Sequence, residues 1–203
     1  MRHLKSSEYN VMPWRNKAGG TTQIAIFPEC SRIEDNAFSW RVSIAETNEA
    51  HPFSLFPDYD RTLLMVEGRR FVIRCGPEVR FDLSPGSTSI GFPGEWRLSG
   101  SAPEGPVRNF NLMCRRGQAR GRLREHVVRG AIQDVDAIGS VVVLYNLEAS
   151  VRIVNRADNG CFQLAAADSL ILDTSCGVDL HSFRVFPTAE SARLALAEID
   201  LFS

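Results

Sequence analysis

Trp14, Asn16, Arg41, Ser43, Phe56, Arg61, Asn111 and Arg115 are the side chains with the most chemistry to offer. They supply guanidinium forks, amides, a hydroxyl and aromatic walls, the groups with which a protein holds a small acid. Period-two alternation groups them. FSWRVSIAE puts Phe38, Trp40, Val42 and Ile44 on one strand face and Arg41, Ser43 and Ala45 on the other. VRNFNLMCRR aligns Asn111, Met113 and Arg115 in the same way. MPWRNKAGGTTQIAIFP begins with an aromatic, two cations and an amide, then reaches Gly19 and Gly20, where the backbone can bend or approach a neighbour closely. That segment reads as the rim of a cavity, with Trp14 closing one side and Asn16 at the mouth. The opposing account makes Arg41 and Arg61 structural ion-pair partners of Asp60, Glu67 or Glu46.

Catalytic and metal chemistry find less support. His3, His51, His126 and His181 are the four histidines, and no two lie two residues apart as barrel metal ligands commonly do. His51 with Asp58 and Asp60 could ligate a cation, but a lone histidine before proline reads as a loop residue. No metal and no cofactor are therefore expected. There is no G-x-S-x-G turn, and no cysteine has a sequence-adjacent histidine to activate it. Asp58 reads as filling a glycine-like bend and Asp60 as a turn acid.

Short alternating strands must position these residues. TLLMVEG, RFVIRC and VRFDL follow one another, with Cys75-Gly76-Pro77-Glu78 as a hairpin turn, and EWRLSG, VVVLYNLEASVRIVN, FQLAAADSLILD and VDLHSFRVF continue the pattern. LLMVEGRRFVI with FDLSPGSTSI echoes VLYNLEASVRI with FQLAAADSLIL, which suggests a duplicated β-barrel. TAESARLALAEI, alanine-rich after Thr188 as N-cap, predicts one C-terminal helix. The expected fold is all-β: two barrels, residues 1–120 and 121–203, with a short terminal helix.

A net charge of -1 argues against a nucleic-acid partner, and the string Arg115, Arg116, Arg120, Arg122, Arg124 reads as a solvated strand face. No apolar run approaches membrane-spanning length. The five cysteines are odd in number and lack a CxxC pair, a pattern of reduced, buried thiols in a cytoplasmic protein.

Four motifs in order resemble the HutD/Ves family: Trp14 to Ile24, FSWRVSIAE, PFSLFPDYDR with the following VEG, and NFNLMCRR. The resemblance covers about Met12 to Arg116 and implies two cupin-like jelly-roll barrels (a bicupin). It also implies a link to bacterial histidine utilisation, as a governor that responds to a metabolite. It adds Gly19, Thr21 and Gln23 to the candidate ligand-binding set. Gln23 stands where the family usually has Glu, Lys17 and Ala18 replace glycines, Asp58 replaces Gly, and Asn109 replaces Asp. The function this implies is non-catalytic binding of a small carboxylate, such as urocanate or a formyl- or formiminoglutamate. The alternatives are a metal-free isomerase or hydrolase of a small acid, with Asp60 or His51 as base, and a protein-interaction module. Exposed strand edges of such barrels often pair two chains, so a homodimer is the partner state to test.

Overall fold

The computed structural model describes residues 1–14, 19–130, 132–173 and 179–202, so Asn16, Lys17, Ala18 and Cys176 lie outside the described residues. In chain order the strands are β1 (Arg2–Leu4), β2 (Asn10–Pro13), β3 (Gly19–Phe27), β4 (Trp40–Thr47), β5 (His51–Pro52), β6 (Tyr59–Glu67), β7 (Phe71–Cys75), β8 (Glu78–Leu83), β9 (Ile90–Pro93), β10 (Leu98–Ser101) and β11 (Val107–Arg115). They continue with β12 (Ala119–Arg129), β13 (Gln133–Gly139), β14 (Val141–Asn146), β15 (Val151–Asn155), β16 (Cys161–Leu164), β17 (Ser169–Asp173), β18 (Asp179–Pro187) and β19 (Ser191–Leu201). Two single 3-10 turns, Ser6–Glu8 and Ile33–Asp35, are the only helical elements among the described residues. No helix there is long and apolar enough to cross a membrane.

The chain splits into two compact units, Asn10–Arg120 and a second built from Gly121–Ser203 together with Met1–Tyr9. The sequence-based expectation put residues 1–120 in one barrel, whereas Met1–Tyr9 groups with Gly121–Ser203. β1 is the edge strand beside β17, registering Arg2 opposite Ile171 and Leu4 opposite Ser169. His3 Nε2 lies 3.1 Å from Asp168 Oδ2, and the Ser6 amide donates to Asp168 Oδ1 at 2.8 Å.

In the Asn10–Arg120 unit one sheet runs β2-β3-β4-β11-β6-β9 and the other β5-β10-β7-β8. In the second unit the orders are β1-β17-β14-β19-β12 and β13-β18-β15-β16. Setting aside β1, β2 and β3, adding eight to each strand number of the earlier unit reproduces the later one. The internal echo in the sequence falls on β6 to β9 and β14 to β17, matching strands of this repeat. Each unit buries apolar side chains between its sheets: Leu63, Met65, Phe71, Ile73, Leu83, Phe92, Leu98 and Val107 in the first. In the second, Leu144, Ile153, Leu164, Leu170, Phe183, Val185, Leu194 and Leu196 do the same.

The C-terminal helix does not form. Residues 191–201 are β19, paired with β14 and placed next to β12 in the sheet. Ala192, Leu194 and Leu196 enter the core, while Ala195, Ala197 and Ile199 on the opposite face are buried as well. Alanine's helical advantage of roughly half a kcal/mol per residue is outweighed by a ladder and burial on both faces. Thr188 does not cap a helix; its hydroxyl donates to the Ser150 carbonyl.

The thiols also depart from expectation. Cys114 is buried, but Cys30, Cys75 and Cys161 are exposed. Cys75 ends β7 at the hairpin turn, and Cys161 starts an edge strand, so neither position is covered. In the hairpin itself Gly76 has φ +58 and Cys75 faces Glu78, as the turn residues predict.

Candidate functional site

One face of the six-stranded sheet is polar because three strands present alternate residues to it. β4 supplies Arg41, Ser43, Ala45 and Thr47, β11 supplies Asn109, Asn111 and Met113, and β6 supplies Arg61 and Leu63. Trp14, Thr21, Glu34 and the segment from His51 to Phe56 help to close a cavity of about 560 Å³. That is the size of sites that hold metabolites.

Arg41 is only 4% exposed. Its Nε donates to Gln23 Oε1 at 2.8 Å and its Nη1 to Ser43 Oγ at 3.4 Å. Nη2 has no hydrogen-bond partner among the described residues. Burial pushes the guanidinium down to about 10, against a smaller opposing pull from Glu34. Arg61 lies among rings, its guanidinium carbon 5.0 Å from the Phe53 centroid, 5.3 Å from Phe92 and 5.8 Å from Phe56. Nη1 donates to the Ser54 carbonyl at 3.2 Å. Burial, and then repulsion from Arg41, push it down to about 10. Its surface is partly accessible because the cavity reaches it. Both groups are cations at neutral pH.

The acids offered as their structural partners are occupied or turned away. Asp60 binds Arg116 at 2.7 Å, Glu67 binds Arg108 at 3.0 Å, and Glu46 is exposed. Among the described residues no carboxylate forms an ion pair with Arg41 or Arg61.

The rim is built around Trp14. Its Nε1 donates to Thr21 Oγ1 at 2.8 Å, and its ring lies 4.3 Å from that of His51. Gly19 permits this approach: a Cβ there would meet the Glu46 carbonyl oxygen at 1.9 Å and the Trp14 ring at 2.9 Å. His51 is 7% exposed, with Nδ1 3.3 Å from the Glu49 carbonyl oxygen. Burial lowers its pKa, the Glu49 contact opposes this, and Arg61 lowers it further.

Trp14, Thr21, Arg41, Ser43, Phe56, Arg61 and Asn111 therefore line one cavity. Gln23 touches it through Arg41, and Gly19 makes room for Trp14. Arg115 does not line it: at the end of β11 its amide donates to the Ser39 carbonyl at 2.8 Å. Asn16 lies outside the described residues. Reading Asp58 as glycine-like agrees with its φ of +69. Sequence reasoning offered His51 only as a base or cation ligand, and missed Phe53, Asn109 and Glu34 as lining residues. His51, Phe53 and Asn109 carried a signal, since His51 alternates with Phe53 and Asn109 with Asn111. Glu34 sits in an irregular turn and carried none. Among the described residues no three His, Cys, Asp or Glu side chains group as metal ligands.

An all-β chain with this strand order and an inner polar cavity is cupin-like. Vicilin from Solanum melongena shares that fold at 9% identity, with a TM-score of 0.66 over 99% of this chain and 86% of that one. The chain belongs to the HutD family, whose model matches residues 6–184. A conserved protein of unknown function from Pseudomonas aeruginosa PAO1 is similar over 98% of both chains, at 29% identity and a TM-score of 0.84. HutD from Pseudomonas fluorescens SBW25 is 26% identical with a TM-score of 0.76, covering 100% of this chain and 99% of that one. An uncharacterized 21.2 kDa protein from the hutC 3′ region of Pseudomonas putida is 32% identical over 126 residues. That match spans 60% of this chain and 62% of the relative, under two thirds of its length. Membership of the family links the chain to the histidine-utilisation context.

Proposed function

We propose that this protein binds a small carboxylate metabolite without turning it over, and governs histidine utilisation through that binding. The candidates are urocanate and a formyl- or formiminoglutamate. The observation that carries the reading is the Arg41–Arg61 pair: two desolvated guanidiniums line a cavity with no carboxylate bound to either among the described residues. A buried cation without a counter-ion is costly, and a ligand carboxylate accepting forked hydrogen bonds would relieve that cost. In this reading the units are duplicated jelly-roll barrels, a bicupin. The earlier one keeps a binding space, and the later one packs side chains such as Leu144, Leu164 and Phe183 in its core. Cys30, Cys75, Cys114 and Cys161 form no disulfide with one another, which fits a reducing cytoplasm.

A melting panel of urocanate, formylglutamate, formiminoglutamate, histidine and glutamate tests this. At one hundred times Kd a ligand adds about 2.7 kcal/mol, which for a chain of this size raises the midpoint by roughly 5 to 10 °C. A midpoint unmoved by every acid at millimolar concentration overturns the reading. His51, an imidazole lining the cavity, supports the rival of a cofactor-free isomerase or hydrolase. A change in mass of a bound acid after incubation would favour that rival.

A further inference from the structure

β3 carries an irregularity beside Arg41. Gln23 registers opposite Ser43, but Ala25 registers opposite Val42, so Ile24 is an extra residue in the strand. A bulge of this kind re-aims the flanking side chains. Here Gln23 shares the cavity face with Ser43, and Ile26 becomes the residue opposite Arg41. Gln23 Oε1 then accepts from Arg41 Nε at 2.8 Å, and Nη1 reaches Ser43. Each described partner of this guanidinium is a neutral oxygen, and Nη2 has none. Glu34, the one acid among the described residues whose field reaches Arg41, is exposed and forms no ion pair with it there.

We propose that Gln23 is a specificity-determining residue that sets the charge the cavity accepts. Its amide holds Arg41 in place without neutralising it, so the cavity selects an anion over the uncharged amide or ester of the same acid. A carboxylate at position 23 would occupy the charge from inside. The amide and carboxylate side chains have nearly the same shape, so the exchange changes charge and little else. This inference rests on the reading of the cavity as a carboxylate site.

The test uses the full-length chain, its Gln23→Glu and Gln23→Ala variants, and titration calorimetry with urocanate and formylglutamate. Gln23→Glu should melt above wild type in the absence of ligand, because a buried cation gains its counter-ion, and should bind the acid that wild type binds at least tenfold more weakly. Gln23→Ala should melt below wild type and also bind more weakly, since Arg41 loses its anchor. Wild type should bind the primary amide of that acid at least tenfold more weakly than the acid, and Gln23→Glu should narrow that gap. Affinity for the acid within twofold of wild type in Gln23→Glu overturns the inference while leaving the carboxylate reading intact. So does a ligand-free midpoint no higher than wild type, a result that needs no ligand at all. If wild type binds neither acid and no other acid of the melting panel, the carboxylate reading falls and this inference falls with it. Should Gln23→Glu not fold, Gln23→Asp carries the same comparison with a shorter acid.

Discussion

Arg61 is held by aromatic faces and one backbone carbonyl, and its nearest electrostatic influence is another cation. Removing it breaks no ion pair among the described residues and relieves repulsion with Arg41. Arg61→Ala should therefore weaken carboxylate binding more than tenfold by calorimetry, with the ligand-free midpoint within a few degrees of wild type. Arg61→Lys should restore little, because a point charge does not reproduce the planar fork. His51 gives a pH prediction. Its folded pKa is depressed below the ordinary 6.5, chiefly by burial, so the unfolded chain takes up a proton first as pH falls. The contribution is fully present above pH 6.5 and is lost as pH falls toward the folded value. An NMR titration of the His51 ring should show its midpoint below 6.5, and His51→Phe should flatten that part of the stability profile. At this scale the sequence was readable wherever alternation applied, as at Arg41, Ser43 and Asn111. It misled at Arg115, where the alternating face runs past the end of the cavity. Whether Arg41 and Arg61 had acidic partners depended on Arg116 and Arg108 taking Asp60 and Glu67, which lie far from them in sequence.

Strand β19 shows how an element can contradict its own composition. Ala, Leu and Glu favour a helix locally, yet the pairing with β14 and burial on both faces decide the outcome. The far-UV circular dichroism spectrum should accordingly lack the double minimum of a helical segment. Leu196→Ala, which opens space in a filled core, should cost about 2 to 5 kcal/mol in denaturant unfolding. Gly19→Ala should lower the midpoint and disturb the Trp14 fluorescence, because the new methyl group collides with the Glu46 carbonyl. The strands around residues 38–46 and 71–83 were legible because one face is apolar throughout and the turn residues are explicit. The bulges beside Gln23 and Asn109 were not, since an extra residue in a strand shows only against its partner.

At the scale of the whole molecule, acid should act unevenly. Burial alone would raise the pKa of Glu198, but the Arg122 hydrogen bond at 2.5 Å, the Ile138 amide at 3.0 Å and Arg124 together bring it below its ordinary 4.5. Asp168 is likewise lowered against its burial by Ser6, His3 and the Ala165 amide. Depressed carboxylates contribute stability above their unfolded pKa and lose it as pH falls through the folded value. Both belong to the unit containing Gly121–Ser203. Hydrogen exchange below pH 3.8, the ordinary value for Asp168, should open β17 and β19 before β4 and β11, and Glu198→Gln should narrow the difference. The repeated strand order was partly visible as an internal echo. The place of Met1–Tyr9 was not, because an edge strand of three residues has no partner signature of its own. That place has a consequence for synthesis. His3 pairs with Asp168, 165 positions on, while everything the Asn10–Arg120 unit needs has been translated before residue 121. At 5 to 20 residues per second, β1 waits roughly 8 to 30 s for its ladder. The middle of the chain can close first, and Met1–Tyr9, made before it, find their neighbours only after it.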